Sequence, residues 1–196
     1  MENEIEAQFL DINKDEMRQK LSGVGARLVK PEVLMRRVVF ETGPHSFARV
    51  RDEGGGKIVM TYKNVSDEKS ILGTREVNVV IDDYERGVEL LKACGLKEKA
   101  EQESLRETWV FDTDDEAVEI CIDTWPWIPT FIEIEGPSEA AVWRTAETLG
   151  LNRETAKFGS VDTTYQHYYG VEPDVVNYNT LKILFDMEPP EWARGE

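Results

Sequence analysis

Polar and apolar residues alternate over residues 4–10, with Glu4, Glu6 and Gln8 on one side and Ile5, Ala7 and Phe9 on the other. A period of two predicts a strand. Asn13 then reads as a helix N-cap with Glu16 three residues on, Met17 and Leu21 on one face, and Gly23 and Gly25 as the stop. Residues 27–63 are strand-like and broken by two turn clusters, Gly43-Pro44 and Glu53-Gly54-Gly55-Gly56, so that 47–51 and 57–63 form a hairpin. A further strand is predicted over 74–81. Asp82 and Glu85 then open a helix that carries Val88, Leu91 and Ala93 and ends at Gly95. Three more strands follow over 99–111, 118–123 and 130–135, the first two joined by an acidic turn over 112–116. Pro126 and Pro129 keep the connection to the third out of any central strand.

After Gly136-Pro137, Ser138 caps a helix that runs through Leu149 to Gly150, and short helical pieces are predicted over 153–157 and 163–169. Beyond Pro173, residues Val175, Val176, Leu181, Ile183, Leu184 and Phe185 are expected to dock as a helix, with residues 188–191 loose. No true repeat and no sharp compositional break occurs. The expectation is an α+β fold: an antiparallel, eight-stranded, barrel-like sheet with helices outside it and at the C-terminus. One domain is expected over residues 1–170, with a C-terminal extension over 171–196.

The charged faces of these strands are the unusual feature. Glu4/Glu6, Glu119/Asp123 and Glu133/Glu135 form acidic same-face sets, Arg49/Arg51 and Lys57/Thr61/Lys63 form sets containing cations, and Arg75 and Arg106 sit on other strands. Alternating charge usually marks the wet face of a sheet. The opposite faces, however, are apolar, as with Val118 and Ile120 or Ile132 and Ile134, and helices with apolar faces are available to cover them. In that second arrangement the charges line an aqueous tunnel. Paired carboxylates there would bind a hard divalent cation through oxygen, while Arg and Lys would neutralise phosphate. A site with both signs recognises a metal-bound polyphosphate, and its reaction class is phosphoryl or nucleotidyl transfer.

Composition narrows the partners. The 196 residues carry 23 Lys+Arg against 39 Asp+Glu, a net charge of −16, which argues against nucleic acid and against an anionic membrane surface as partner. No apolar run approaches the roughly 18 residues of a membrane span, and the acidic start Met1-Glu2-Asn3-Glu4 lacks a signal-peptide core. Two distant cysteines, Cys94 and Cys121, exclude a disulfide scaffold and point to reduced thiols in a cytoplasm. With only His45 and His167 present, metal ligands have to be carboxylates. The net charge also makes a divalent cation the expected companion of any anionic substrate.

In order and spacing these motifs resemble the CYTH family, the triphosphate tunnel metalloenzymes, which includes class IV adenylate cyclases, thiamine triphosphatases and inorganic triphosphatases. The family's N-terminal Glu-x-Glu-x-Lys reads Glu4-Ile5-Glu6-Ala7-Gln8 here. Arg49-Val50-Arg51, Thr61-Tyr62-Lys63, Arg75-Glu76, Arg106, Asp123 and Phe131-Ile132-Glu133-Ile134-Glu135 follow in the family's order. The resemblance spans residues 2–169. It implies Glu4, Glu6, Asp123, Glu133 and Glu135 as ligands of Mg²⁺ or Mn²⁺. It implies Arg49, Arg51, Lys63 and Arg106 as triphosphate-binding residues, joined by Lys157 as a late basic residue and by Arg37 as an added tunnel cation. Glu4, Glu6 and Gln8 make up the catalytic strand.

Two departures stand out. Gln8 replaces the family lysine, and glutamine can orient a water or bond a phosphate but carries no charge. The stretch Met35-Arg36-Arg37-Val38-Val39-Phe40 lacks the Gln-x-Asp-x-Tyr-like pattern frequent in class IV cyclases. The first expectation is therefore a Mg²⁺- or Mn²⁺-dependent triphosphatase acting on a small triphosphate. A class IV-type cyclase that makes cyclic AMP is the alternative, and a polyphosphate- or nucleotide-binding module without turnover is a third reading motivated by Gln8. Monomer and homodimer both stay open.

Overall fold

A computed structural model of the chain describes residues 1–67, 70–113 and 116–194, apart from the side chain of Glu2. The strands are β1 (Glu2–Glu4), β2 (Glu6–Phe9), β3 (Arg27–Gly43), β4 (Ser46–Asp52), β5 (Ile58–Val65), β6 (Thr74–Ile81), β7 (Glu98–Thr113), β8 (Glu116–Thr124), β9 (Phe131–Glu135) and β10 (Lys182–Ile183). The helices are α1 (Lys14–Gly23), α2 (Tyr84–Ala93), α3 (Glu139–Thr148), α4 (Val161–Tyr169) and α5 (Pro173–Asn177), with single 3₁₀ turns at Arg153–Thr155 and Glu191–Ala193. Of the expected acidic turn over 112–116, Asp114 and Asp115 lie outside the described residues. Among the described residues no helix is long and apolar enough to cross a membrane.

The expected caps form. The Asn13 side chain accepts from the backbone N–H groups of Asp15 (3.1 Å) and Glu16 (3.0 Å), and Ser138 accepts from Ala141 N–H (3.1 Å). For α2 the cap is Asp83, one residue later than expected, which accepts from Arg86 N–H at 2.9 Å.

The sheet runs in the order β1-β6-β5-β4-β3-β7-β8-β9-β2. Its two ends are halves of one N-terminal strand, separated by Ile5 alone. The first half pairs with β6, Glu4 opposite Thr74, and the second with β9, Glu6 opposite Glu135. Counted as one strand, β1 and β2 close an antiparallel eight-stranded barrel, as the alternation predicts. The free edge of β2 beside Gln8 is covered by the backbone of Lys157, which exchanges two hydrogen bonds of 2.9 Å with it.

Helix positions decide which face of the barrel is which. Helices α1 and α3 place Met17, Leu21, Ala141, Val142 and Ala146 on Ala7, Val118, Ile120, Ile122, Ile132 and Ile134. Helix α2 places Tyr84 and Val88 on Val38, Phe40, Ala48 and Val50. It seats closely because Gly87 faces the sheet: a Cβ there would collide with Ile81 and stand 3.3 Å from Val50. The apolar face of each strand is thus the outer face, under helices. The alternate, charged face points inward, the less common of the two arrangements.

The tail differs from expectation. Only Pro173–Asn177 is helical, and Lys182–Ile183 instead adds to β7 as a parallel strand. The apolar positions 181, 183 and 185 have a period of two. Ile183 is fully buried with Trp125, Phe131, Tyr165 and Val176, while Leu181 and Phe185 stay exposed. Residues 188–191 are pinned from both sides. Trp127 Nε1 donates to the Met187 carbonyl at 3.1 Å, and the Trp192 ring packs edge-on against Trp127, Tyr165 and Tyr169.

This inside-out arrangement makes a stability prediction. Ile134, fully buried beneath the helices, and Val79, 53% exposed, both sit on strands. Urea denaturation of Ile134→Ala should show a loss of about 2–5 kcal/mol. Val79→Ala should stay within about 0.5 kcal/mol of the parent. The reverse ranking would contradict a core lying outside the barrel.

Candidate functional site

Strand register sorts the interior charges into two walls. Strands β5, β4, β3 and β7 are neighbours, and they contribute Lys63, Arg49 with Arg51, Arg37, and Arg106. Strands β8, β9, β2 with β1, and β6 complete the ring, and they contribute Glu119, Glu133 with Glu135, Glu6 with Glu4, and Glu76. Cross-strand pairing fixes their heights: Arg37 is opposite Arg51, Lys63 opposite Glu76, and Glu135 opposite both Glu6 and Glu119. Between the walls lies a cavity of about 470 Å³. A second, of about 600 Å³, begins toward the Gly54-Gly55 turn and shares Arg51, Glu76, Arg106, Glu119 and Glu135 with it. Together they form one charged tunnel.

On the acidic wall, Glu4, Glu6 and Glu135 each bring one carboxylate oxygen within 4.8 Å of the others. Oxygen donors so arranged suit a hard divalent cation. Burial lifts Glu6 well above the usual carboxylate range; Lys63 pulls it back, while Glu4, Glu133 and Glu135 push it further up. Burial likewise raises Glu135 to about 7, with Glu4, Glu119, Glu76 and Glu133 adding to the effect. Protons therefore occupy part of this cluster near neutral pH. Lys63 lies against it, bonded to Glu4 and 3.7 Å from Glu6. Burial works against the lysine's charge, but Glu6 and Glu4 outweigh it and raise its pKa.

The basic wall is unevenly paired. Arg51 is held by Glu53, whose carboxyl falls to about 2: burial opposes the shift, but Arg51 and Lys57 override it. Arg106 grips Asp123 through Nε (2.7 Å) and Nη2 (2.5 Å) and also bonds Glu133. Arg37 and Arg49 have no ion-pair partner among the described residues, and the buried Nε of each finds no hydrogen-bond acceptor. Arg37 donates to Ser104 Oγ and stacks over Trp125 at 4.4 Å. Burial pushes Arg49 down to about 10, with Arg51 adding to it, and pushes Arg37 well below its ordinary value, with Arg51 and Arg49 adding to it. Two desolvated guanidiniums beside a third constitute a site for an anion.

The sequence-predicted residues take three positions. Glu4, Glu6, Glu133, Glu135, Arg37, Arg49, Arg51, Lys63 and Arg106 all line the cavity. Asp123 and Gln8 lie behind that surface. Asp123 is fully buried against Arg106, and Gln8 is 1% exposed. The Gln8 amide donates to Glu133 Oε1 (3.0 Å) and to the Gly159 carbonyl (3.1 Å) and accepts from Thr164 Oγ1 (3.2 Å). Lys157 is exposed and off the cavity wall, and it meets Gln8 only through backbone.

Other sequence readings sort similarly. Lys57 is mostly exposed and bonded to Glu53. Arg75 faces outward, its Nη2 reaching the Met1 carbonyl at 3.4 Å, and its neighbour Glu76 takes the inward place. Trp125 lines the tunnel, whereas Trp109 donates to Glu107 Oε1 at 2.8 Å beneath α1. Tyr165 donates to the Pro126 carbonyl at 2.7 Å within the core. The Cys121 thiol is buried and pushed well up by that burial, so it is no nucleophile. Glu119 and Glu76 complete the acidic wall, and strand parity was the signal for both. Lys99, Gln102 and Asp162 also line the cavity. Gln102 shares parity with Arg106 along a regular stretch of β7, whereas Lys99 has the opposite parity and lines the cavity through the irregular register between Ala100 and Glu98, which no pattern in the sequence reveals.

Comparison with known proteins agrees with this geometry. Among solved structures, the chain is similar to the PH1012 protein of Pyrococcus horikoshii OT3, with 25% identity over 79% of this chain and 94% of that one and a TM-score of 0.64. A candidate adenylate cyclase of Vibrio parahaemolyticus shares the fold at 11% identity and a TM-score of 0.68, over 83% of this chain and 97% of that one. HpAC1 of Hippeastrum, an adenylyl cyclase candidate described with a dominant triphosphatase activity, does so at 13% identity and a TM-score of 0.57, over 88% and 97% of the two chains. No curated protein matches the sequence. The CYTH domain family model matches residues 2–165, which hold every barrel strand and helices α1 to α3, and the chain belongs to the CYTH family.

Proposed function

We propose that this protein is a divalent-metal-dependent triphosphatase that hydrolyses a small triphosphate compound inside the barrel. Inorganic triphosphate, thiamine triphosphate and nucleoside triphosphates are the substrate class. One observation carries the reading: a carboxylate trio, Glu4, Glu6 and Glu135, faces Arg37 and Arg49, two arginines without acid partners, across a single cavity. Such a pair of walls is complementary to a polyphosphate that carries a cation.

Glu4, Glu6 and Glu135 would hold Mg²⁺ or Mn²⁺, which when bound polarises a phosphoryl oxygen and lowers the pKa of a water. Arg37, Arg49, Arg51 and Arg106 bind the phosphate oxygens and stabilise the charge that develops on them, since their positions are set before the substrate arrives. Asp123 orients Arg106 from behind. Lys63 pairs with Glu4, and its positive charge works against protonation of Glu6. Water oxygen attacks a terminal phosphorus, the bridging P–O bond breaks, and orthophosphate leaves together with the diphosphate. We also take residues 171–196 to be an extension on a domain of residues 1–170, a division supported by the end of the family match at residue 165.

Phosphorus NMR of the protein with ATP, thiamine triphosphate and inorganic triphosphate tests the reading. Orthophosphate and a diphosphate product are expected with Mg²⁺ or Mn²⁺, and no turnover with chelator. Pyrophosphate and cyclic AMP from ATP would instead make the protein a class IV-type cyclase, and tight binding without product would make it a binding module.

Arg37→Ala and Arg49→Ala should each lower kcat/KM by about 10- to 100-fold, the worth of a charge-assisted hydrogen bond. Neither should lower the apo melting temperature, because each removes a cation that has no ion-pair partner and whose buried Nε has no acceptor.

The raised pKa values of Glu6 and Glu135 set a third expectation. A raised carboxylate pKa means that the proton is held to a higher pH than usual and lost as pH rises through the folded value. Mn²⁺ has to displace that proton, so its affinity should fall as pH drops through about 7, with proton release per ion large near pH ~6 and near zero at pH ~9. Calorimetry in buffers of differing ionisation enthalpy measures this directly. A pH-independent affinity would remove these carboxylates from the metal site.

A further inference from the structure

Four glutamates, Glu4, Glu6, Glu133 and Glu135, carry the inward acidic pattern of the first and last barrel strands, yet their surroundings divide them. Glu133 accepts from Gln8 Nε2 at Oε1 (3.0 Å) and from Arg106 at Oε2, so both of its oxygens are engaged. Arg106 and Lys63 overcome the effect of burial and hold Glu133 below the usual carboxylate range. Its counterpart Glu135 has no ion-pair partner among the described residues and shares the close oxygen cluster with Glu4 and Glu6, which excludes Glu133.

Gln8 is the agent of that division. It is the cross-strand partner of Glu133 and almost fully buried. Both amide hydrogens are committed, one to Glu133 and one to the Gly159 carbonyl, and the amide oxygen accepts from Thr164. The amide orientation follows from chemistry: reversed, its oxygen would face a carboxylate and a carbonyl, both acceptors. With both donors committed and the side chain 1% exposed, Gln8 has no donor left for a phosphate and no open surface at which to hold a water.

We infer that Gln8 is a positioning residue that locks Glu133 onto Arg106, so that the four glutamates divide into a cation-binding trio, Glu4, Glu6 and Glu135, and one arginine-positioning carboxylate, Glu133. The lock also reaches outward. Gly159 and Thr164 belong to α4 and the segment before it, so the docking of α4 fixes the angle at which Glu133 presents Arg106 to the cavity. The inference rests on the triphosphatase reading for what Arg106 does, but not for which glutamates bind the cation.

Two measurements test it. The first needs no turnover. Calorimetry with Mn²⁺ alone should show Glu135→Gln weakening the ion by about tenfold or more, because ligand charge count sets affinity. Glu133→Gln and Gln8→Met should stay within about threefold of the parent in the same titration, because neither removes a ligand. Equal losses in Glu133→Gln and Glu135→Gln would overturn the division.

The second is steady-state kinetics on whichever triphosphate the parent hydrolyses. Gln8→Met should lower kcat by about 10- to 100-fold with KM within about threefold, the pattern of a lost supporting contact. Gln8→Lys should recover most of that loss without a new limb in the pH profile, since its ammonium can donate to both Glu133 and Gly159. Should Gln8→Met fail to fold, Thr164→Val must show the same split at smaller size. An unchanged kcat in the folded Gln8 variant, a KM that shifts in place of kcat, or a new pH limb in Gln8→Lys would each overturn the positioning role. A parent protein that turns over nothing would sink the triphosphatase reading and leave the Mn²⁺ comparison to decide the division.

Discussion

Charge buried on two facing walls of one closed sheet is the constraint from which the other features follow. Taking an ion out of water costs several kcal/mol even after relaxation, and a direct partner recovers much of that. Lys63, Arg51 and Arg106 have such partners in Glu4, Glu53 and Asp123. Arg37 and Arg49 do not, and Arg37 is set directly across from Arg51, where like charges destabilise a sheet. The acidic wall has the mirror-image problem, and burial with like charge raises the pKa values of Glu6 and Glu135. A ligand that is anionic toward β3, β4 and β7 and cationic toward β1, β2 and β9 relieves both walls at once. That is the physical content of the specificity we propose for a metal-bound polyphosphate.

Barrel closure and assembly of the acidic trio are one event. The N-terminal strand pairs with β6 up to Glu4 and switches at Ile5 to pair with β9 from Glu6 onward. Only when both pairings form do Glu4 and Glu6 stand beside Glu135. The cost of bringing three carboxylates together is met by the outer layer, where α1 and α3 bury the alternate residues of the same strands. The site is thus stabilised from outside the barrel. Gln8, on the same strand as Glu6, is tied to α4 and the 157–160 segment, not to the tunnel lumen.

Much of this was legible in the sequence, and the gaps have physical causes. Period-two alternation located the barrel strands and put Arg49 with Arg51 and Glu133 with Glu135 on shared faces. Alternation carries no sign, however: it says that two faces differ, not which one is inside, and helix placement had to decide. Parity also says nothing about reach. Gln8 and Asp123 point toward the interior as expected, yet neither reaches the cavity surface, because Glu133 and Arg106 stand in front of them. The Arg75-Glu76 motif does not say which of its two residues faces inward, and Glu76 takes that place. In the tail, the apolar residues at 181, 183 and 185 carried a strand signal that a helical reading of the same residues obscured.

The net charge of −16 looks at odds with the proposed triphosphate site, and the resolution lies in distance. Repulsion between an approaching anion and the outer surface is screened over roughly 8–10 Å in physiological salt. Inside the tunnel the same anion meets Arg37 and Arg49 with little water between, where a charge-assisted hydrogen bond is worth far more than a screened surface charge. Of the acidic residues that line the cavity, Glu4, Glu6 and Glu135 would hold the ligand's cation, Glu133 anchors an arginine, and the rest are offset by the basic wall. The excess negative charge therefore belongs to the exterior and governs solubility and the approach of anions. Recognition belongs to a charge-segregated interior, which sets it independently of that excess.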